Sequence, residues 1–132
     1  MTQRSMFDCA LTQYTVAMRN REWYDVRFSV LVNCQQMIEM VCKGILEELY
    51  GEYPRTHDIR FLVQKVDKNL AIANRAFLVE ITDWYFTQRY ASDNYYDYSI
   101  EEFNDVVDKC FALYNLLLSY RKSGAKESNF FR

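Results

Sequence analysis

The sequence predicts an all-α protein, an up-and-down bundle of four to five helices. Three observations carry that expectation. The 132 residues include only 3 Gly and 1 Pro, too few to punctuate the turns of a sandwich or barrel. No run alternates apolar and polar residues long enough to argue for a strand. Between Trp23 and Tyr50 the apolar residues Val26, Val30, Cys34, Met37, Val41, Ile45 and Leu49 recur at three- and four-residue steps, which is helical spacing. A hydrophobic share of 50% excludes disorder, and the length fits one domain, residues 1–122, with a flexible tail at 123–132.

A weaker amphipathic helix is expected first, from about Ser5 to Arg19, ended by Asn20. A single long helix from Trp23 to Tyr50 follows and stops at Gly51, with Pro54 shortly after. Thr56 has the side chain to cap a third helix from His57 to about Val66, with Ile59, Leu62, Val63 and Val66 on its apolar side. The fourth runs from near Asn74 toward Arg89 and carries Phe77, Ile81, Trp84 and Tyr85. The polar, aromatic stretch from Ala91 to Tyr98 has no period and reads as a loop. Ser99 and Glu102 form a capping box for the last helix, whose buried stripe is Phe103, Val106, Cys110, Leu113, Leu117 and Tyr120.

Sixteen basic against 18 acidic residues give a net charge of -2, so no global field attracts polyanions. No apolar run approaches the roughly 20 residues of a membrane span, and no signal-peptide core follows the first residues. The protein is expected in the cytoplasm. Cys9, Cys34, Cys42 and Cys110 are scattered without a CxxC pair, and His57 is the single histidine. The cysteines read as small buried hydrophobes, and neither a metal site nor a cofactor is expected.

The order of local features has a further meaning. Cys34 to Leu46 reads CQQMIEMVCKGIL, with Glu39 and Lys43 four apart; Pro54 to Gln64 reads PRTHDIRFLVQ; Gln88 to Asp93 reads QRYASD. This series resembles the HEPN domain family, the nucleotide-binding helical domain of higher eukaryotes and prokaryotes. The resemblance covers about Arg21 to Tyr120. It implies a helical bundle, often a homodimer, found beside minimal nucleotidyltransferases, with some members cutting RNA and others binding nucleotides.

The family's ribonucleases carry an arginine separated from a histidine by four to six residues. No arginine stands so before His57, and in the loop before the last helix Asn94 fills the histidine's slot behind Arg89. Asparagine cannot shuttle protons near neutral pH, which argues against catalysis and leaves no catalytic residue assigned. An alternative base such as Asp93 stands in that loop.

Arg89 is the first candidate for a phosphate contact, because its guanidinium offers a fork of donors; the alternative is an ion pair with Asp83, Asp93 or Asp97. His57, at a helix start, either contacts a ligand or fixes the loop around Thr56 with Asp58. Glu39 and Lys43 form an i, i+4 pair, worth a few tenths of a kcal/mol if exposed, and the resemblance gives them a secondary role in a polar cleft. Tyr96 stands where some family toxins carry a tyrosine that the transferase modifies; Tyr95, Tyr96 and Tyr98 otherwise read as an interface.

The expectation is a non-catalytic protein that binds a nucleotide or phosphate-bearing ligand and partners a nucleotidyltransferase in a toxin-antitoxin-type system. A divergent endoribonuclease toxin, acting on RNA, and a pure protein-interaction module are the alternatives. The 11 Tyr, 9 Phe and 2 Trp exceed what one small core readily buries, which favours a homodimer.

Overall fold

In the computed structural model, which describes residues 3–91 and 94–121, the chain is all-helical and no strand occurs among the described residues. Six α-helices follow in order: α1 (Met6–Asn20), α2 (Arg27–Tyr50), α3 (Ile59–Val66), α4 (Lys68–Ala73), α5 (Arg75–Thr87) and α6 (Ile100–Leu118). The expected tail lies outside the described residues.

α2 is the spine, and α1, α3, α5 and α6 all pack against it. From Val30 to Leu46 it is buried except for a half-buried stripe at Val32, Asn33, Gln36 and Met40, and the buried residues include the polar Gln35, Glu39 and Lys43. Because these three side chains are themselves buried, each needs a partner within the protein. α1 approaches closely because Gly44 lacks a side chain: a Cβ there would come within 2.9 Å of the Phe7 ring. Arg121 covers the same ring, its guanidinium carbon 3.8 Å from the centroid, and pairs with Glu48 at 3.6 Å.

Caps set most boundaries. Ser5 and Asp8 form a capping box on α1, and Ser99 and Glu102 form the expected one on α6. Gly51 ends α2 in the left-handed conformation, φ 80°, with its N–H donating to the Glu47 carbonyl.

Three boundaries differ from expectation. The long helix starts at Arg27 rather than Trp23, because Tyr24–Val26 form a 3-10 turn and Val26 leaves helical geometry at ψ 22°. α3 starts at Ile59 with Asp58 as its cap, accepting from Phe61 N–H at 3.2 Å; Thr56 instead accepts from the Asp58 N–H at 3.1 Å. α4 is an additional short helix, whose one buried residue is too little apolar signal to reveal it.

Cys34, Cys42 and Cys110 are buried and unbridged, Cys9 is half-buried, and burial pushes the Cys42 and Cys110 thiols up. No described helix is long and apolar enough to cross a membrane.

Asp67 caps α4 by accepting from the Asn69 and Leu70 N–H groups, and it also accepts from the Tyr120 hydroxyl beyond the end of α6. The Tyr120 bond foremost, and the cap after it, hold its carboxyl below the usual range. A carboxyl lowered in the folded state adds stability above its unfolded value, about 4, and loses it as pH falls through the folded value. In Asp67→Asn, which cannot ionise, the fall in melting temperature below about pH 4 is therefore expected to be shallower. Melting curves followed by circular dichroism across the acid range check this, and equal slopes contradict it.

Candidate functional site

The polar centre of the molecule is built on one face of α2, where Gln35, Glu39 and Lys43 succeed each other at four-residue steps. The Glu39 carboxylate accepts from Gln35 Nε2 at 2.8 Å and from Lys43 Nζ at 2.9 Å. Gln36 Nε2 in turn donates to Gln35 Oε1 at 2.7 Å. Lys43 also sits 5.5 Å from the centre of the Tyr53 ring. The pair is thus not the exposed helix pair that its spacing suggests: Glu39 is 4% and Lys43 8% exposed. Its worth lies in the cost of separating the partners, several kcal/mol when one charge is left buried alone.

The segment between α2 and α3 adds a third donor. His57 Nδ1 lies 2.9 Å from Glu39 Oε1, and because a carboxylate only accepts, Nδ1 carries the proton. In the neutral ring Nε2 is then an acceptor, on a side chain that is about half exposed, 47%. The imidazole stacks on Tyr85 of α5, with centroids 3.9 Å apart and planes 17° from parallel. One turn further, the Arg89 guanidinium carbon stands 4.5 Å from the centre of the same Tyr85 ring. A continuous series of contacts therefore runs from Lys43 through Glu39, His57 and Tyr85 to Arg89.

Arg89 lines a cleft of about 430 Å³ together with Arg27, Phe28, Gln88, Tyr90 and Tyr95. Arg27 is held in place: it pairs with Asp97 at 3.2 Å, donates to the Tyr24 carbonyl and lies over the Tyr24 and Phe28 rings. Its Nε is buried and has no hydrogen-bond partner. Tyr95 meets Phe28 edge to face at 5.6 Å. The cleft combines two guanidinium groups with aromatic walls, the chemistry that holds an anion beside a flat ring.

The loop behind the cleft is fastened to α5. The Gln88 side chain clamps Tyr96 by donating to its carbonyl and accepting from its N–H, both at 2.8 Å. The Tyr96 hydroxyl donates to Asp83 at 2.9 Å, and its pKa is pushed up to about 12 by burial first and that bond second. The Tyr98 hydroxyl donates to Glu80, accepts from Trp84 Nε1 at 3.0 Å and is likewise raised, chiefly by burial.

Of the residues singled out from the sequence, Glu39, Lys43 and His57 form one network, and Arg89 joins it through Tyr85. Arg89 makes no ion pair among the described residues: Asp83 serves Tyr96, Asp97 serves Arg27, and Asp93 lies outside them. Tyr95 lines the cleft, whereas the Tyr96 and Tyr98 hydroxyls are committed to carboxylates. Asn94 lines a separate hollow with Asp83, Thr87, Tyr95 and Tyr96. Tyr85, Arg27 and Gln35 were not anticipated. Gln35 precedes Glu39 by one helical turn, a detectable signal; the other two act through contacts between distant segments.

The HEPN domain family model matches residues 10–120. No curated protein and no solved structure matches.

Glu39→Ala would leave Lys43 without its carboxylate inside the bundle, and a loss of about 3 kcal/mol is expected. Urea unfolding checks it, and adding Lys43→Met should recover part of the loss. An unchanged midpoint in the single variant would contradict the network's structural weight.

Proposed function

The chain belongs to the HEPN domain family, and from that premise we propose that it binds a nucleotide or another phosphate-bearing ligand in the cleft at Arg89, without catalysis. One observation carries the reading: Arg89 stands at an open cleft over Tyr85 with no carboxylate to neutralise it among the described residues. An exposed guanidinium steadied on an aromatic face keeps its donor fork for a phosphate. Arg27, paired with Asp97, places a second guanidinium in the wall, and Phe28, Tyr90 and Tyr95 offer surfaces for a base. His57, held by Glu39, positions Tyr85 and so Arg89.

The reading includes a homodimer and a nucleotidyltransferase partner in a toxin-antitoxin-type system, carried over from the family. The exposed rings of Trp23, Phe86 and Tyr90 are suited to such contacts.

Cleavage of RNA is the second reading, favoured by the Glu39–His57 pair, which leaves Nε2 as an acceptor for a proton. RNA fragmentation by the purified protein, lost in His57→Gln, would establish it over the first.

The first reading is tested by thermal shift against ATP, GTP, their diphosphates and a short RNA. A ligand at about 100 times its Kd adds roughly 2.7 kcal/mol of stability, a readily measured rise. The rise is expected with at least one nucleotide, to vanish in Arg89→Ala and to shrink in Arg27→Ala. A rise of equal size in Arg89→Ala overturns the site, and no rise with any ligand favours the interaction module.

A further inference from the structure

On the side of the bundle where α3, α4 and α5 meet, Arg60, Gln64, Lys68, Ala71, Ile72 and Arg75 line a groove of about 250 Å³. Three cations therefore share a small hollow. None forms an ion pair with a described residue, although Arg21, Arg27, Lys43, Lys109 and Arg121 each do. The carboxylates nearest in sequence hold other donors: Asp58 caps α3, Asp67 caps α4 and accepts from Tyr120, and Glu80 accepts from Tyr98. Like charges that share a hollow without direct ion pairs repel one another, and an anionic partner relieves that repulsion. The net charge of -2 makes this a local feature that opposes the charge of the whole chain.

The rest of the lining restricts the partner's chemistry. No aromatic side chain is present, in contrast to the Arg89 cleft, so there is no surface on which a base would stack. What the groove offers beside its cations is aliphatic: Ile72 is 65% exposed, and Ala71 lies buried beneath. An exposed aliphatic side chain in the same groove as three cations matches a peptide that alternates carboxylates with an aliphatic residue.

We propose that this groove docks an acidic segment of a partner protein, with carboxylates on Arg60, Lys68 and Arg75 and one aliphatic side chain against Ile72. The proposal is independent of what the Arg89 cleft binds.

The test uses the full chain and a fluorescent peptide of alternating Glu and Leu, followed by anisotropy. Binding is expected to weaken as salt rises and to fall about tenfold or more in Arg60→Glu/Arg75→Glu. The same double variant is expected to bind a Lys/Leu peptide that the parent ignores, a gain that damage to the fold could not produce. Ile72→Ser is expected to weaken the Glu/Leu peptide with little change in salt dependence. Unchanged peptide binding in the charge-reversed variant overturns the proposal. So does absence of peptide binding together with capture of oligouridylate that the reversal abolishes, which would make the groove a phosphate site. Self-association abolished by the reversal, without peptide binding, would make it an interface between copies.

Discussion

The carboxylate of Glu39 is buried on α2, and both its oxygens must be satisfied there. Gln35 and Lys43 meet part of that demand from the same helix; His57 meets the rest from the segment before α3. The third donor is the consequential one. It anchors the connection between α2 and α3 to the core and presents an imidazole ring to Tyr85 of α5. Three parts of the chain are thereby held in one arrangement by a single buried acid.

From that arrangement the cleft follows. Tyr85 is stacked on one ring and carries Arg89 over its own, so the guanidinium stands on a surface that the core has already fixed. Arg27, which opens α2, lines the same cleft with its charge balanced by Asp97. The segment ahead of α6 is fastened to α5 and the residue after it, through Gln88 on Tyr96 and through Glu80 and Trp84 on Tyr98. Hydroxyls with raised pKa values remain protonated donors near neutral pH, so these bonds persist in the range where the protein would act.

The parts of the fold legible in the sequence are those that depend on local rules. α2 and α6 show long helical periodicity, and Gly51 and the Ser99–Glu102 box mark their ends by backbone chemistry alone. α4 is not legible there, because six residues with one buried side chain carry too little period. Thr56 and Asp58 are both competent caps two residues apart, and only the packed structure decides between them. The candidate site was legible as a set of residues but not as a geometry. Glu39 and Lys43 have the same spacing whether exposed or buried, and their burial follows from α1, α3, α5 and α6 surrounding α2. Tyr85 joins His57 and Arg89 across a separation in sequence that no periodicity records.

The most direct measurement is a nucleotide titration of the isotope-labelled protein by nuclear magnetic resonance, observing the arginine Nε–H groups and the His57 ring. Saturable shifts are predicted at Arg89, Arg27 and His57, with Arg60 and Arg75 unmoved. Shifts confined to Arg60 and Arg75, or none at any arginine, would contradict a phosphate site built outward from Glu39.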